Sequence, residues 1–135
     1  MVLRIGKKKL KISKEKVSLK SVFAIDKLKD NLTAFLKDQK LYEIVTIPLK
    51  GKSQEADYMI VASGQSSRQV GSVSEKLIEL LKSKYGILSR AEGLEGAFWV
   101  LIDAGDIIIH IFRPEVRDYY QLEKMWSMSP GVSVN

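Results

Sequence analysis

Two acids and the only histidine of the chain lie within one apolar stretch, residues 98–112 (FWVLIDAGDIIIHIF). Asp103 and Asp106 carry the carboxylate oxygens that Mg²⁺ prefers, or that share one proton when they are close together. His110 has an ordinary pKa near neutrality and is the natural candidate for a base. A catalytic Asp–His–Ser relay would need a serine within hydrogen-bond reach of it, and no nucleophile-elbow motif is present. The pattern therefore favours a structural or interface histidine and a solvated pair of acids over a catalytic or metal site.

A second polar group follows the apolar run of residues 57–62, DYMIVA. Its residues that could form an anion site are Gly64, Ser66, Ser67 and Arg68. Backbone N–H groups at the start of a helix attract anions, and a guanidinium would add a charged donor. Ser66 also precedes Gln69 by three residues, which is the spacing of a helix-capping pair. Because the lysine of a P-loop is absent, an ordinary strand-to-helix turn is favoured over an anion site.

The composition excludes several kinds of site. The absence of cysteine excludes disulfides and thiolate metal ligands, and a single histidine argues against a zinc site. An oxygen-ligated Mg²⁺ site is the one metal option left open, and we expect neither a metal nor a cofactor. No apolar run approaches the roughly 20 residues of a membrane span, and the N-terminus lacks the pattern of a secretory signal. We therefore expect a soluble, cytoplasmic protein with no membrane partner.

The net charge of +6 comes entirely from the N-terminal residues. Residues 1–20 hold eight Lys or Arg and one Glu, whereas the rest of the chain holds 14 basic and 15 acidic residues. Residues 91–123 carry seven acids against Arg113 and Arg117. This division argues against a domain that covers phosphates, because nucleic-acid affinity comes largely from clustered Lys and Arg. A basic protein partner fits the acidic half better, and the lysine-rich tail is either a solvated extension or a non-specific RNA contact.

The hydrophobic periodicity predicts an α/β domain. Apolar residues recur every three or four positions in the predicted helices, and they form continuous or alternating runs in the predicted strands. The expected elements are a helix at 18–39, strands at 42–49 and 57–62, a helix at 66–85, a short strand at 87–91, a hairpin at 98–112 and a helix from 113 to about 126. This order is typical of a layered mixed β-sheet with flanking helices. The expected domains are a lysine-rich flexible tail at 1–17, a single α/β domain at 18–127 and a C-terminal tail at 128–135.

The hairpin sorts its residues onto two faces if its loop is Ala104–Gly105. Asp103 then lies opposite Asp106, and Trp99 lies opposite His110. The expected core face is aliphatic and carries Phe98, Val100, Ile102, Ile107, Ile109 and Ile111. The other face carries Trp99, Leu101, Asp103, Asp106, Ile108 and His110. An aromatic anchor beside acids is typical of a protein interface, so this second face is the predicted partner-binding surface.

Several motifs, in their order and spacing, make the chain similar to one known family. They are DYMIV (57–61), GQSSRQV (64–70), EG (92–93), WVLIDAGDIIIHIF (99–112) and RDYYQLEKMW (117–126). Over residues 21–126 these motifs resemble the ribosomal silencing factors, also called the Iojap-related proteins. Pro48 departs from the family pattern, which usually has an aspartate after the first strand, so any contact made by that acid is missing here.

The resemblance implies a fold and a function. The fold would be α/β and related to the nucleotidyltransferases, without established catalysis. The function would be docking on ribosomal protein uL-fourteen of the large ribosomal subunit, which sterically prevents joining with the small subunit and represses translation when nutrients are scarce. Family members often form dimers, so a homodimer is also implied. The implied contact surface lies at Trp99, Asp103, Asp106 and His110, supported by Arg117 and Tyr120, and the hairpin pattern adds Leu101.

Two alternatives to this binding role stay open. An enzyme would use Ser66, Asp103 and Asp106 to bind Mg²⁺ and a nucleotide, although no third carboxylate is reliably placed near the pair. Alternatively, the lysines of residues 1–17 would contact ribosomal RNA. The leading hypothesis is a protein that acts by occupying a surface and needs no chemistry.

Overall fold

The structure, a computed structural model, describes residues 19–49, 51 and 55–120, with side chains described between residues 24 and 118. Its helices are α1 (Leu19–Asp38), α2 (Ser67–Tyr85) and α3 (Pro114–Tyr120). Its strands are β1 (Tyr42–Pro48), β2 (Tyr58–Ser63), β3 (Arg90–Glu92), β4 (Trp99–Asp103) and β5 (Ile107–Phe112). The predicted order of elements is confirmed. The predicted tails at 1–17 and 128–135, and the expected continuation of the last helix towards residue 126, lie outside the described residues.

The five strands form one sheet in the order β1-β2-β5-β4-β3. β2 and β5 are parallel neighbours, and the other three pairs are antiparallel. A parallel pair needs a long crossover, which α2, β3 and β4 provide here. β2 is buried from its second residue onwards, as its continuous apolar run predicts for a strand covered on both faces. The mixed sheet with flanking helices confirms the predicted fold class.

The inner face of the sheet is covered by α1 and α2. Its hairpin residues are Val100, Ile102, Ile107, Ile109 and Ile111, which are all fully buried. They pack in one cluster with the helix residues Leu32, Leu36, Val70, Val73, Leu77 and Leu81. Burying an aliphatic side chain of this size contributes about 1.5–3 kcal/mol, so this cluster dominates the stability of the domain.

No helix in the described ranges is both long enough and apolar enough to cross a bilayer.

The hairpin loop differs from the predicted one. The N–H of Ala104 donates to the carbonyl of Ile107 at 2.9 Å, so the loop residues are Gly105 and Asp106 rather than Ala104 and Gly105. Gly105 has a φ of +93°, a conformation that favours glycine at the first position of a two-residue hairpin loop. The predicted loop began one residue too early in the chain, so it placed Gly105 at the second loop position instead of the first.

The strand register moves with the loop. Trp99 lies opposite Phe112 rather than His110, and Leu101 lies opposite His110. The partner of each residue therefore shifts by two positions. Because side chains alternate along a strand, a shift of two leaves every side chain within β4 and β5 on its predicted face.

Phe98 is the exception to the predicted core. β4 begins at Trp99 and so leaves Phe98 outside the strand. The preceding residue, Ala97, has a φ of +55°. The left-handed conformation takes the chain out of the pleat just before the strand. Phe98 is consequently 55% exposed, and its ring lies 6.0 Å from the guanidinium carbon of Arg113.

The outer face of the hairpin is built from both rings and acids. It carries Trp99, Leu101, Asp103, Ile108, His110 and Phe112. A second buried cluster covers the β1 and β2 side of the sheet and consists of Ile47, Leu49, Ala56, Met59, Val61 and Phe112. Trp99, Ile108 and Val116 of α3 pack against the edge of this cluster. The β4 side of the outer face stays half-exposed.

Candidate functional site

Three rings organise the outer face. Trp99 stacks on Phe112, with ring centroids 4.9 Å apart and planes 19° apart. His110 lies beside both, with centroids 5.9 Å from Trp99 and 5.8 Å from Phe112. The indole Nε1–H of Trp99 donates to Nδ1 of His110 at 3.0 Å. A half-exposed indole is thus stacked on one ring and hydrogen-bonded to another.

His110 is uncharged at neutral pH. Only 4% of its surface is exposed, and burial lowers its pKa from 6.5 to about 4 because the charged form is poorly solvated. An indole N–H can only donate, so Nδ1 is the acceptor and the ring proton lies on Nε2. His110 therefore supports Trp99 and offers little surface of its own to a partner.

The two predicted acids lie at the loop end of the hairpin, both half-buried. Asp103 Oδ1 accepts the N–H of Gly105 at 2.9 Å, an Asx turn that stabilises the loop. The carbonyl of Asp106 accepts the N–H groups of Asp57 at 2.7 Å and Tyr58 at 3.2 Å, which connects the loop to β2. The acids are not cross-strand partners, contrary to the prediction, since Asp106 belongs to the loop.

Arg117 holds α3 against the sheet. It is 5% exposed, and its Nη1 donates to the carbonyl of Glu43 at 2.7 Å and to Ser63 Oγ at 2.8 Å. Glu43 lies in an irregularity of β1 and has a φ of +50°, so a bulge in the edge strand presents its carbonyl. Arg117 thereby joins α3 to β1 and to the end of β2. Its predicted support of the partner surface stays a prediction.

The glycine turn after β2 is a helix cap. Ser66 Oγ accepts the N–H of Gln69 at 3.1 Å, and Gln69 Oε1 accepts the N–H of Gln65 at 2.7 Å. The predicted capping pair is confirmed, except that the side chain of Gln69 accepts from the N–H of Gln65 instead of that of Ser66. A Cβ on Gly64 would lie 2.9 Å from Val70 Cγ2, so the backbone approaches α2 more closely than a larger residue allows.

Of the remaining polar residues of this turn, Ser67 contacts Arg113. Ser67 Oγ accepts a long bond of 3.5 Å from Arg113 Nη1, and Arg68 is exposed. Arg113 Nη2 also pairs with Glu115 Oε2 at 2.8 Å. The anion site predicted for this turn stays a prediction.

The residues of the alternative enzymatic reading lie at opposite ends of the sheet. The N–H of Gly64 donates to the carbonyl of Phe112 at one end of β5, whereas Asp106 precedes Ile107 at the other end. The length of β5, about 17 Å, separates the serine turn from the acids. Among the residues that the structure describes, no group of three or more His, Asp or Glu side chains could hold a metal.

Two residues that shape the outer face were not among the predicted site residues. Phe112, the stacking partner of Trp99, was missed because the predicted register ended its pairing one residue earlier. Gly93 has a φ of +90°, and a Cβ there would lie 2.1 Å from the carbonyl oxygen of Trp99. The Glu92-Gly93 motif was a visible signal for this second position.

The structure thus sorts the predicted contact residues by exposure. Four of these residues are half-exposed: Trp99, Leu101, Asp103 and Asp106. Two of them, His110 and Arg117, are buried. Tyr120 is the last residue of α3, and its side chain lies outside the described part.

Comparisons with known proteins agree with the motifs. The family model for the ribosomal silencing factor during starvation matches residues 23–135. A ribosomal silencing factor of Zymomonas mobilis is 58% identical over 95 residues, which cover 70% of this chain and 71% of the relative. One of Halalkalibacterium halodurans is 37% identical over 97 residues, covering 72% and 83%. A crystal structure of a protein from Chromobacterium violaceum, 34% identical, has a TM-score of 0.73 and covers 82% of this chain and 93% of that one. The chain therefore belongs to the family of ribosomal silencing factors.

Proposed function

We propose that the half-exposed part of the outer face docks on the large ribosomal subunit and so silences translation. The partner that the family resemblance implies is ribosomal protein uL-fourteen, at the face that meets the small subunit. Occupying that face prevents the small subunit from joining. The names of the relatives, which are ribosomal silencing factors, support this role at the level of the ribosome.

The observation that carries the proposal is the make-up of this surface. Trp99 and Leu101 lie half-exposed on β4, and Asp103 and Asp106 follow at the end of the same hairpin. Well-packed aromatic anchors supply much of the binding energy of protein interfaces. Acids beside them suit a basic ribosomal protein, because opposite charges speed the encounter and favour the correct partner. The same argument predicts that binding weakens as salt increases.

The proposed mechanism requires occupancy and no bond making or breaking. The factor and the small subunit compete for one surface, so silencing follows from the concentration and affinity of the factor by mass action. Calorimetry with Mg²⁺ and nucleoside triphosphates is the matching test of the enzymatic alternative, which requires metal-dependent nucleotide binding.

The direct experiment uses purified ribosomal subunits separated on sucrose gradients. We expect an excess of the protein to reduce the fraction of joined ribosomes and to co-sediment with the large subunit. Subunits that pair equally well in a saturating excess of the protein would rule the mechanism out.

Replacing Trp99 by alanine tests the surface itself. We expect Trp99→Ala to weaken binding to large subunits by about 2 kcal/mol or more, roughly thirtyfold, because it removes the aromatic anchor. Phe98→Ala is the matched control, since it removes an exposed aromatic ring from the adjacent position outside this face. Equal losses for the two folded variants, measured by co-sedimentation, would show that the outer face has no special role.

Two further contacts belong to the proposal. The lysine-rich residues 1–17 lie before the start of the family match and would contact ribosomal RNA. Deleting them should then flatten the dependence of subunit binding on salt, because fewer phosphate contacts release fewer counterions. The homodimer stays a prediction, which analytical ultracentrifugation of the isolated protein tests.

A further inference from the structure

We infer that His110 is a positioning residue, whose Nδ1 fixes the indole of Trp99 in the orientation that meets the partner. The inference rests on the proposed docking of the outer face, and it assigns His110 a different role from that of a contact residue. With 4% of its surface exposed, His110 can touch a partner very little. Its Nδ1 accepts the indole N–H at 3.0 Å.

The geometry of the hairpin explains why these two residues meet. Trp99 lies opposite Phe112, and His110 lies opposite Leu101, so Trp99 and His110 are diagonal neighbours on one face. Diagonal side chains on a sheet are about 7–8 Å apart at their backbones, a separation that two large rings can span. Phe112 stacks on the indole at a centroid distance of 4.9 Å. Stacking alone would also allow the indole to be flipped about its Cβ–Cγ bond with its ring in the same plane, and the hydrogen bond to His110 selects the orientation that points Nε1 at Nδ1.

The indole N–H is the one polar group of a tryptophan side chain. Because it donates to His110, the ring is ordered before a partner arrives, and the partner meets a fixed apolar surface. Ordering a side chain during association costs about 0.5–1.5 kcal/mol, which corresponds to roughly a twofold to tenfold change in affinity. A side chain that is already ordered avoids this loss.

Variants at this position separate the acceptor from the ring. His110→Phe retains an aromatic ring against Trp99 and Phe112 but cannot accept a hydrogen bond. His110→Asn retains an acceptor near the position of Nδ1 but fills less space. His110→Leu removes the acceptor without a large ring, should the phenyl group prevent folding.

The binding test is a double-mutant cycle on large ribosomal subunits. We expect His110→Phe to weaken binding of the full chain roughly twofold to tenfold when Trp99 is present. In the Trp99→Phe background the same change should have almost no effect, because that ring has no N–H to position. His110→Asn should recover part of the affinity. Equal losses in both backgrounds, or no loss in either, would overturn the inference.

Nuclear magnetic resonance tests the hydrogen bond itself. The chain has two tryptophans, Trp99 and Trp126, and the Trp99→Phe variant identifies the indole signal of Trp99. We expect that signal to move and its N–H to exchange faster in His110→Phe and His110→Leu. An unchanged Trp99 signal would contradict the assignment. Failure of the unaltered protein to bind large subunits would overturn the proposed function, whereas normal binding by His110→Phe would overturn the positioning role alone.

Discussion

The two faces of the β4–β5 hairpin are made from alternating residues of the same strands, yet they are built differently. Ile109 is fully buried on the inner face, where α1 and α2 close the core. Its neighbour Ile108 is half-buried on the outer face, at the edge of the second cluster. The inner face is purely aliphatic, whereas the outer face combines rings and acids. The comparison indicates that the inner face supplies stability and the outer face supplies a shaped surface.

Three polar side chains on the outer side of the sheet have defined hydrogen-bond partners. Trp99 donates to His110, Asp103 accepts from the Gly105 N–H, and the guanidinium of Arg117 donates to Ser63. Buried polar groups are costly unless they are hydrogen-bonded, and once satisfied they fix one arrangement of side chains. The outer side therefore gains a defined geometry from directional bonds, which an aliphatic core cannot provide.

The largest expected effect comes from truncating the same residue type on each face. Ile109→Ala should lower the free energy of unfolding by about 3–4 kcal/mol, because it leaves a cavity in the closed core. Ile108→Ala should lower it by about 1–2 kcal/mol, because part of that side chain is already in contact with solvent. Urea unfolding measures both. Equal losses would mean that the two faces contribute alike to stability, contrary to the comparison.

The second effect is a pH dependence confined to the outer face. The folded state holds the pKa of His110 at about 4, below its ordinary 6.5, so unfolding takes up a proton. The contribution of neutral His110 to the free energy of unfolding is fully present above about pH 6.5. It is lost as the pH falls towards about 4, and the loss is up to about 3 kcal/mol.

His110→Phe is the reference for this measurement, since the chain has a single histidine and the carboxylates are common to both proteins. We expect the free energy of unfolding, compared between about pH 7 and about pH 4, to fall further in the unaltered protein than in the variant. A parallel decline in both proteins would show that His110 is not held in its neutral form.

The smallest expected effect concerns the cap of α2, which covers the inner face. Ser66→Ala removes the acceptor for the Gln69 N–H and should cost about 1 kcal/mol of stability. Binding to large subunits should stay unchanged, because Ser66 caps α2, which covers the inner face of the sheet. Ser67→Ala is the matched control, since it removes a neighbouring hydroxyl that accepts a long bond of 3.5 Å from Arg113. A loss of binding by folded Ser66→Ala would extend the functional surface to this turn.

Much of the fold could be read from the sequence, because local patterns carry it. The period of apolar residues located α1 and α2, and α2 ends at residue 85, as predicted, where Gly86 follows with a φ of +68°. The continuous run of β2 predicted a strand buried on both sides, which the structure confirms. The hairpin loop was misplaced by one residue, because Ala104–Gly105 and Gly105–Asp106 are both acceptable loops in sequence terms. The predicted faces are nevertheless correct within β4 and β5, since the resulting register shift is even, whereas Phe98 and Asp106 lie outside the two strands.

The candidate site was less predictable, since exposure depends on what packs over a strand. The sequence grouped Trp99 with His110 on one face, but it could not show that the ring of Trp99 is half-exposed and that His110 is buried beside Trp99 and Phe112. Arg117 was likewise predicted to support the contact surface, and only the structure shows that it is buried and donates to Glu43 and Ser63, which are distant in the chain.

By itself, the sequence determined the order of elements, the faces of the hairpin and the family, because periodicity, caps and motifs are local properties. The tertiary structure alone decided the hairpin partners, the burial of His110 and Arg117 and the part of the outer face that is left accessible. These features depend on which residues, far apart in the chain, pack over the same apolar surface. Local sequence patterns do not specify those contacts.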